Sequence, residues 1–400
     1  MLELGPILRA MSRNKVGVGL LIFEMAFTLM IAINGLNIIV EQRARIHRDH
    51  GIDEKSTIAV TLETYGDSFD DIEYCRQVMN EDMRNIRALD GVRAAAPTSV
   101  IPLRGGGNSS IFTPVNEPEP QVRAPVYRGD QALIDSLGTT LESGRNLTEA
   151  DVAAAMEGSE NVLVTRDLAD ALFPDGQALG KTIADGGGPK TIVGILTRMI
   201  VPYGGGPMES RVFISPRVYV STSRSNYLIR AEPGRRNDVM LAVENLLFKL
   251  NSERIIKSQT LEEVKGAGYV FNKMISSILL VVIVLLVLVT GIGILGMTSF
   301  SVTRRTRTIG IRRALGGSRL AIIRYFLVEN SMITLMGTIF GLTGAYLLNI
   351  ILTHTADLTR LDLPLVVAAT VSIWAIGLLA ASLPAAQGSA VDPGTATRTG

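Results

Sequence analysis

The chain of 400 residues has one cysteine, Cys75, three histidines (His47, His50 and His354) and one tryptophan. A lone thiol rules out an intramolecular disulfide framework and any cysteine-rich zinc or iron–sulfur site. A catalytic zinc site built from histidine would have to recruit all three. Charge is scarce too: Asp, Glu, Lys and Arg make up 19% of the chain, against about 25% in an ordinary soluble domain. A formal net charge of +1 offers no whole-chain electrostatic grip on nucleic acid. No Ser/His/Asp or paired-acid constellation stands in a context suited to catalysis, so no enzymatic activity and no cofactor are expected. What the chain has in excess is apolar residues, 47% of the total, with a mean hydropathy of +0.29.

Those residues are gathered into runs. Val16–Val40 contains a single ionisable residue, Glu24; Met274–Thr303, Asn330–Thr353 and Leu363–Val391 contain no Asp, Glu, Lys or Arg. A hydrocarbon core about 30 Å thick takes roughly 20 apolar residues of helix to cross. Four spans are therefore expected, over residues 16–40, 274–303, 321–353 and 363–387. The first is longer than the apolar run of a cleaved signal and reads as a retained anchor.

Lys and Arg near the spans set the orientation. The link between spans two and three holds Arg304, Arg305, Arg307, Arg312, Arg313, Arg319 and Arg324 and no acid, and the N-terminal segment 1–15 adds Arg9, Arg13 and Lys15 against Glu3. The short link 354–362 balances Arg360 with Asp357 and Asp362. Both termini (1–15 and 388–400) and the segment 304–320 are thus expected in the cytoplasm, with 354–362 and 41–273 outside. The long loop carries 27 basic and 32 acidic residues, a net of −5, and a loop of that length translocates whatever its charge.

About 230 residues between spans one and two make a domain of α+β pattern. Ser56–Glu63 reads as a strand by β-branched content, and Asp70–Leu89 as a helix ending before Gly91. Ala94–Leu103 is extended, and the Gly-, Asn- and Pro-rich tract 104–120 reads as a subdomain boundary. Val162–Thr165, Lys181–Ile183, Thr191–Leu196, Val212–Ser215 and Tyr227–Ala231 are predicted strands; Asp167–Leu172 and Asn237–Leu250 are predicted helices. The two outer segments are expected to pair, because the chain leaves and re-enters one membrane patch. Leu261–Asn272 is expected to prolong span two as a stalk.

Several motifs have plain readings. Gly176–Thr182 (GQALGKT) lacks the first glycine of a phosphate loop, since Asp175 stands there. His47 and His50 have chelating spacing but no third ligand nearby. The triplets Gly105–Gly107, Gly186–Gly188 and Gly204–Gly206 read as turns. Glu24, an acid inside a span, is by default a functional candidate. Its simpler reading is a polar helix–helix contact with Asn330 or a Ser or Thr. Gly291, Gly293 and Gly296, and Gly337, Gly341 and Gly344, place small residues at helical spacing, a surface for close helix approach within the bundle or across a dimer. In the arginine-rich link, Ile309, Ile311, Leu315, Leu320, Ile322 and Ile323 alternate with arginines around Gly310, Gly316 and Gly317. This fits either a segment that only enforces topology and binds anionic lipid, or a short amphipathic helix that docks on a cytoplasmic partner.

At Arg304–Leu347 (RRTRTIGIRRALGGSRLAIIRYFLVENSMITLMGTIFGLTGAYL) the chain resembles the MacB/FtsX-type permeases of ABC transporters. Pro384-Ala385, Asp392-Pro393, Ala396 and Arg398 are similar to that family's C-terminal pattern. Gly129-Asp130, Gly144-Arg145, Phe173-Pro174 with Gly176, Gly180-Lys181-Thr182 and Val193-Gly194-Ile195-Leu196 look like its periplasmic core. Thr308 replaces a usual acid, and Gln387, Gly388 and Ser389 replace usual basic residues. The resemblance implies a four-helix bundle with an external domain divided into a porter-like part (41–103 and 217–265), a sabre-like insertion (104–216) and a stalk (261–273). It implies a permease pair, homodimeric or heterodimeric, served by two copies of a cytoplasmic ABC ATPase. The ATPase would dock at Ile309, Gly310, Ile311, Arg312, Arg313, Ala314, Leu315 and Gly316. A periplasmic adaptor and membrane lipids are further partners it admits. The implied action is mechanotransmission for efflux or extrusion, with regulation of a cell-wall enzyme or lipoprotein release as alternatives.

Overall fold

The computed structural model describes all residues except 1–4, 6–10, 13, 116–118, 159, 204, 357–358 and 391–400. Glu3, Arg9, Arg13, Gly204, Asp357 and the C-terminal Asp392-Pro393, Ala396 and Arg398 therefore lie outside the described residues. Two compact units result: Arg48–Phe271, and Met1–His47 together with Asn272–Gly400.

In chain order the elements begin with α1 (Lys15–His47), β1 (Thr57–Thr64), α2 (Ile72–Arg87), β2 (Val92–Thr98), β3 (Ser109–Pro114), β4 (Val122–Arg128), α3 (Leu133–Leu137) and β5 (Leu141–Gly144). They continue with α4 (Glu149–Met156), β6 (Glu160–Thr165), α5 (Arg166–Leu172), β7 (Thr182–Ala184), β8 (Pro189–Leu196), β9 (Phe213–Ser215), β10 (Arg224–Ala231) and α6 (Arg236–Leu250). The last are β11 (Arg254–Thr260), α7 (Leu261–Gly268), α8 (Val270–Arg304), α9 (Thr306–Ala314), α10 (Arg319–Ala356) and α11 (Leu363–Ser389).

The loop domain holds two sheets. The first has the order β11-β1-β10-β2 and is antiparallel throughout, so both outer segments of the loop contribute to it. Side chains of a strand alternate between faces, and β1 uses both. Ile58, Val60 and Leu62 meet Met79, Met83 and Ile86 of α2 and Val239, Val243 and Leu247 of α6. Ala59 faces the other way, into a core shared with Leu163 of β6, Leu196 of β8 and Ile214 of β9. Helix α2 starts where the Asp71 side chain accepts the Glu73 N–H, an N-cap that trims the predicted helix by two residues.

The second sheet runs β5-β8-β6-β9-β4-β3-β7, and β7 pairs again with β8, so it closes on itself around Phe112, Val126, Val164, Ile192 and Phe213. Two expectations need correction. The tract 104–120 is not simply a boundary: Ser109–Pro114 is a strand, paired with β4 and β7. The segment 261–273 is not one continuous stalk: α7 buries Leu261 and Val264 in the domain core and ends at Gly268, and α8 begins afresh at Val270.

In the other unit four helices, α1, α8, α10 and α11, are long and apolar enough to cross a membrane. Gly337, Gly341 and Gly344 of α10 lie against α1: a Cβ on Gly337 would stand 2.8 Å from Met25 Cβ, one on Gly341 3.0 Å from the Ala26 carbonyl oxygen, and one on Gly344 3.0 Å from Met30 Sδ. These glycines thus bring together two helices of the same chain. Gly291 does not act in this way, because a Cβ there meets only Ile376 at 3.9 Å; on α8 the close approach belongs to Gly293. Uncharged groups bond between the helices: Thr28 with Thr290 at 2.8 Å, Asn34 Nδ2 to the Ala345 carbonyl at 3.1 Å, and Trp374 Nε1 to Thr338 at 2.8 Å. With no water to compete, such contacts hold spans together without a hydrophobic driving force.

Candidate functional site

The arginine-rich link is built by helix-end chemistry. Helix α8 stops at Arg304, and Arg305 (φ −109°, ψ 9°) turns the chain into α9. Helix α9 ends in a Schellman motif: the Gly317 N–H bonds the Arg312 carbonyl at 2.9 Å, the Gly316 N–H bonds that of Arg313 at 3.1 Å, and Gly316 has φ +90°. A Cβ on Gly317 would stand 2.7 Å from the Arg312 oxygen, so both glycines are required. Ser318 then caps α10, its hydroxyl accepting the Ala321 N–H at 3.2 Å.

This turn gives the segment two faces. Ile309 packs with Val302, Ile322, Phe326 and Ala385 in a small core at this end of the bundle, and Gly310 is buried beside it. Arg313 Nη1 donates to the Ser389 carbonyl at 2.6 Å, at the end of α11 where that helix leaves carbonyls unpaired. Arg312 lies 5.9 Å from the centre of the Tyr325 ring. On the other face Ile311, Leu315 and Leu320 are 45%, 83% and 74% exposed, beside exposed Ala314 and Gly316. Of the eight residues expected to meet a partner, Ile309, Gly310 and Arg313 instead hold the segment to its own bundle. Ile311, Arg312, Ala314, Leu315 and Gly316 are presented outward.

Two anchoring groups escape a reading of the sequence. Arg305 reaches Glu329 of α10 with both terminal nitrogens, at 3.0 and 3.1 Å, and Tyr325 Oη at 3.0 Å. Glu329 closes the charged stretch just before the ionisable-free run begins, a position that could have marked it as a partner for the link. The second group is Gly388–Ser389 at the end of α11: a Cβ on Gly388 would stand 2.5 Å from Val302 Cγ1, so α11 meets α8 there.

The remaining candidates are placed as follows. Glu24 sets its carboxylate against Gly293, where a Cβ would stand 2.7 Å from Oε2, and its Oε1 has no hydrogen-bond partner among the described residues. Among the described residues the expected contact with Asn330 or a Ser or Thr is not made, and Asn330 Nδ2 instead donates to the Gly377 carbonyl at 3.0 Å. In GQALGKT the Lys181 ammonium is held by Asp175 at 2.7 Å and lies over the Phe173 ring. His47 bonds the Arg43 carbonyl along α1 at 2.8 Å, whereas His50 is buried in the loop domain. The Gly144-Arg145 pair serves the fold. A Cβ on Gly144 would stand 2.3 Å from the Val193 oxygen, and Arg145 forks onto Asp151 at 2.6 and 3.0 Å. That guanidinium, helped by Asn161 and Thr148, holds the Asp151 carboxyl well below the usual carboxylate range.

Four spans, a large α+β loop domain and a short arginine-rich helix between spans two and three define the class: a membrane-embedded ABC transporter permease. Residues 27–251, more than half of the chain, match the MacB-like periplasmic core domain, and residues 280–388 match the FtsX-like permease C-terminal region. The chain belongs to the MacB-like, FtsX-type permease family. It is 25% identical over 317 residues to the macrolide export ATP-binding/permease protein MacB of Chromobacterium violaceum, covering 76% of this chain and 49% of that protein. It is 27% identical over 311 residues to the ABC transporter permease YvrN of Bacillus subtilis, covering 72% and 73%. The chain thus spans about half the length of the MacB relative. The crystal structure of the periplasmic region of MacB from Actinobacillus actinomycetemcomitans aligns with 55% of this chain and 96% of its own, at TM-score 0.37 and 17% identity.

Proposed function

We propose that this chain is the permease subunit of a MacB-like ABC system, in the plasma or inner membrane with both termini cytoplasmic. It works as a pair with a second copy or a homologous permease. A separate ATPase, two copies per assembly, docks on α9 and the turn after it. Closure of the ATPases moves this docking segment, and the spans relay the movement to the loop domain for efflux or extrusion of a substrate. The name of the MacB relative, a macrolide exporter, favours efflux over enzyme regulation or lipoprotein release.

The observation that carries the reading is the division of labour in the link: an anchored face of Ile309, Arg305 and Arg313, and an outward face of Ile311, Leu315 and Leu320. A segment that only bound lipid headgroups would not need bare apolar side chains braced by an ion pair and a helix-end contact. Replacing Leu315 and Leu320 together by Glu tests it. Loss of a co-purifying P-loop ATPase, with the thermal stability of the permease unchanged, is expected. Undiminished ATPase capture by the double variant would refute the docking assignment.

A further inference from the structure

The loop domain contains a polar cavity of about 640 Å³ between the ends of β1 and β10, the segment 99–107 and the segment 219–223. That volume is in the range of small-molecule sites. Its lining includes Arg104, Arg224, Glu63, Tyr219, Ser221 and Ser223. Arg224 is neutralised by Glu63 at 3.0 Å. Arg104 is not: its one hydrogen bond is from Nη2 to the Thr61 hydroxyl at 3.0 Å, and among the described residues no carboxylate pairs with it. A guanidinium carries five N–H donors, so most of this fork is unused by the protein. Its position is unfavourable for a cation as well, since burial and the neighbouring Arg224 both work against its charge.

The backbone delivers Arg104 there at a cost. Leu103 is fully buried and has φ +65°, a region that non-glycine residues rarely occupy. Its carbonyl packs so closely on Gly268 that a Cβ there would stand 2.0 Å away. Gly105, Gly106 and Gly107 follow with φ +83°, +75° and +119°. Local strain of this kind persists where the surroundings over-determine it, and it gathers at ligand sites. A partly buried arginine without a counter-ion, held on a strained turn and facing a cavity with hydroxyls on its other wall, lacks only an acceptor to complete it.

We infer that this cavity binds the oxyanion of a small hydroxylated molecule, a phosphate or a carboxylate, with Arg104 as the group that receives it. The charged side chains of the lining, two arginines against Glu63, leave it net positive, as an anionic ligand requires. The hydroxyls of Tyr219, Ser221 and Ser223 suit the uncharged remainder of the ligand. The site is independent of the ATPase-coupling reading, since all of its residues lie in the loop domain.

The test uses the full chain in detergent, with glycerol 3-phosphate and glucuronate as the two charged probes and glycerol and glucose as their neutral counterparts. Saturable binding of at least one charged probe is expected by calorimetry, with a Kd of about 1 mM or tighter. The charged probe that binds tells phosphate from carboxylate. Arg104→Gln is expected to weaken it by about tenfold or more and Arg104→Lys by less, because lysine keeps the charge and loses the fork. The proposal is overturned if neither charged probe saturates, if a neutral counterpart binds equally well, or if Arg104→Gln binds like the parent. Should Arg104→Gln fail to fold, hydrogen exchange on the parent decides. Protection of 99–107 and 219–226 by the charged probe supports the site, and its absence refutes it.

Discussion

Arg305 and Glu329 join the turn between α8 and α9 to the body of α10 through two parallel hydrogen bonds of 3.0 and 3.1 Å. The paired geometry matters more than the charge, because a guanidinium fork fixes direction as well as distance. Tyr325 lies against the same guanidinium, its hydroxyl 3.0 Å away. The turn that leads into α9 is thus tied to α10 as well as continuous with α8.

Glu329→Gln is expected to leave the permease able to bind the proposed ATPase but to reduce permease-stimulated ATP turnover several-fold. Arg305→Lys should do much the same, since lysine cannot present the fork. The readout is ATP hydrolysis by the ATPase alone and in the reconstituted complex with the full-length permease. If Arg305→Lys retains full coupling, the pair does no more than hold the fold.

His50 gives the loop domain a defined response to pH. Its ring is fully buried, with Nδ1 2.8 Å from Glu54 Oε1 and Nε2 3.1 Å from Tyr269 Oη. Lys265 holds Glu54 at 2.8 Å, and Arg48 pairs with Glu209 beside them. Burial first, then the Lys265 charge, push the His50 pKa below its usual value, against the opposing pull of Glu54. The unfolded chain takes up this proton near the ordinary histidine pKa of about 6.5, while the folded chain resists it. Below about pH 6.5 the unfolded state thus binds more protons, and stability falls with pH until the lowered folded pKa is passed. A thermal melt of the full chain is expected to drop between about pH 7.5 and 5.5, and His50→Gln should flatten that slope. An unaltered slope in His50→Gln would assign the effect to other groups.

Strand β1 is legible in the sequence because both its faces are covered, and its buried run Thr57–Leu62 is short and rich in β-branched residues. Strand β11, Arg254–Thr260, is not: it lies at the sheet edge beside β1, and its exposed Ile255 and Lys257 break the buried pattern. β3 was hidden by its Gly- and Pro-rich surroundings, and the closure of the second sheet through β7 depends on pairings that no local signal announces. At the coupling segment the arginine and glycine pattern located the turn. Which arginines face inward depends on Glu329 and Ser389, which are distant in sequence from the residues they hold.

The first sheet owes its clamp to Arg254 and Asp82, both 1% exposed and bidentate at 2.5 and 2.8 Å. Tyr227 Oη donates to the same carboxylate at 2.7 Å, so α2, β10 and β11 meet at one charge pair. Removing one partner of such a pair strands the other and costs on the order of 3–5 kcal/mol. Asp82→Ala is therefore expected to lower the melting temperature of the full chain by roughly 10 °C. Asp82→Leu combined with Arg254→Met should recover part of that loss, since an apolar replacement of both charges leaves no charge unpaired, although the Tyr227 hydroxyl and the Leu247 carbonyl lose their partners. A double variant no more stable than Asp82→Ala would show that the pair does more than satisfy itself.

The glycines of the spans allow a sharper test, because the same sequence pattern carries two different geometries. Helix propensity alone favours Gly→Ala by about 1 kcal/mol at any of them. At Gly337 and Gly341 the added methyl enters α1, with Met25 Cβ 2.8 Å and the Ala26 oxygen 3.0 Å away. Overpacking of a fitted contact costs about 1–3 kcal/mol, which outweighs the propensity gain. At Gly291 the nearest atom is 3.9 Å away, ordinary van der Waals contact, so the gain stands alone. Gly337→Ala and Gly341→Ala should thus lower the thermal stability of the detergent-solubilised chain, while Gly291→Ala leaves it equal or higher. Equal losses at all three positions would mean that Gly291 meets a surface outside this chain, as a second permease copy would supply.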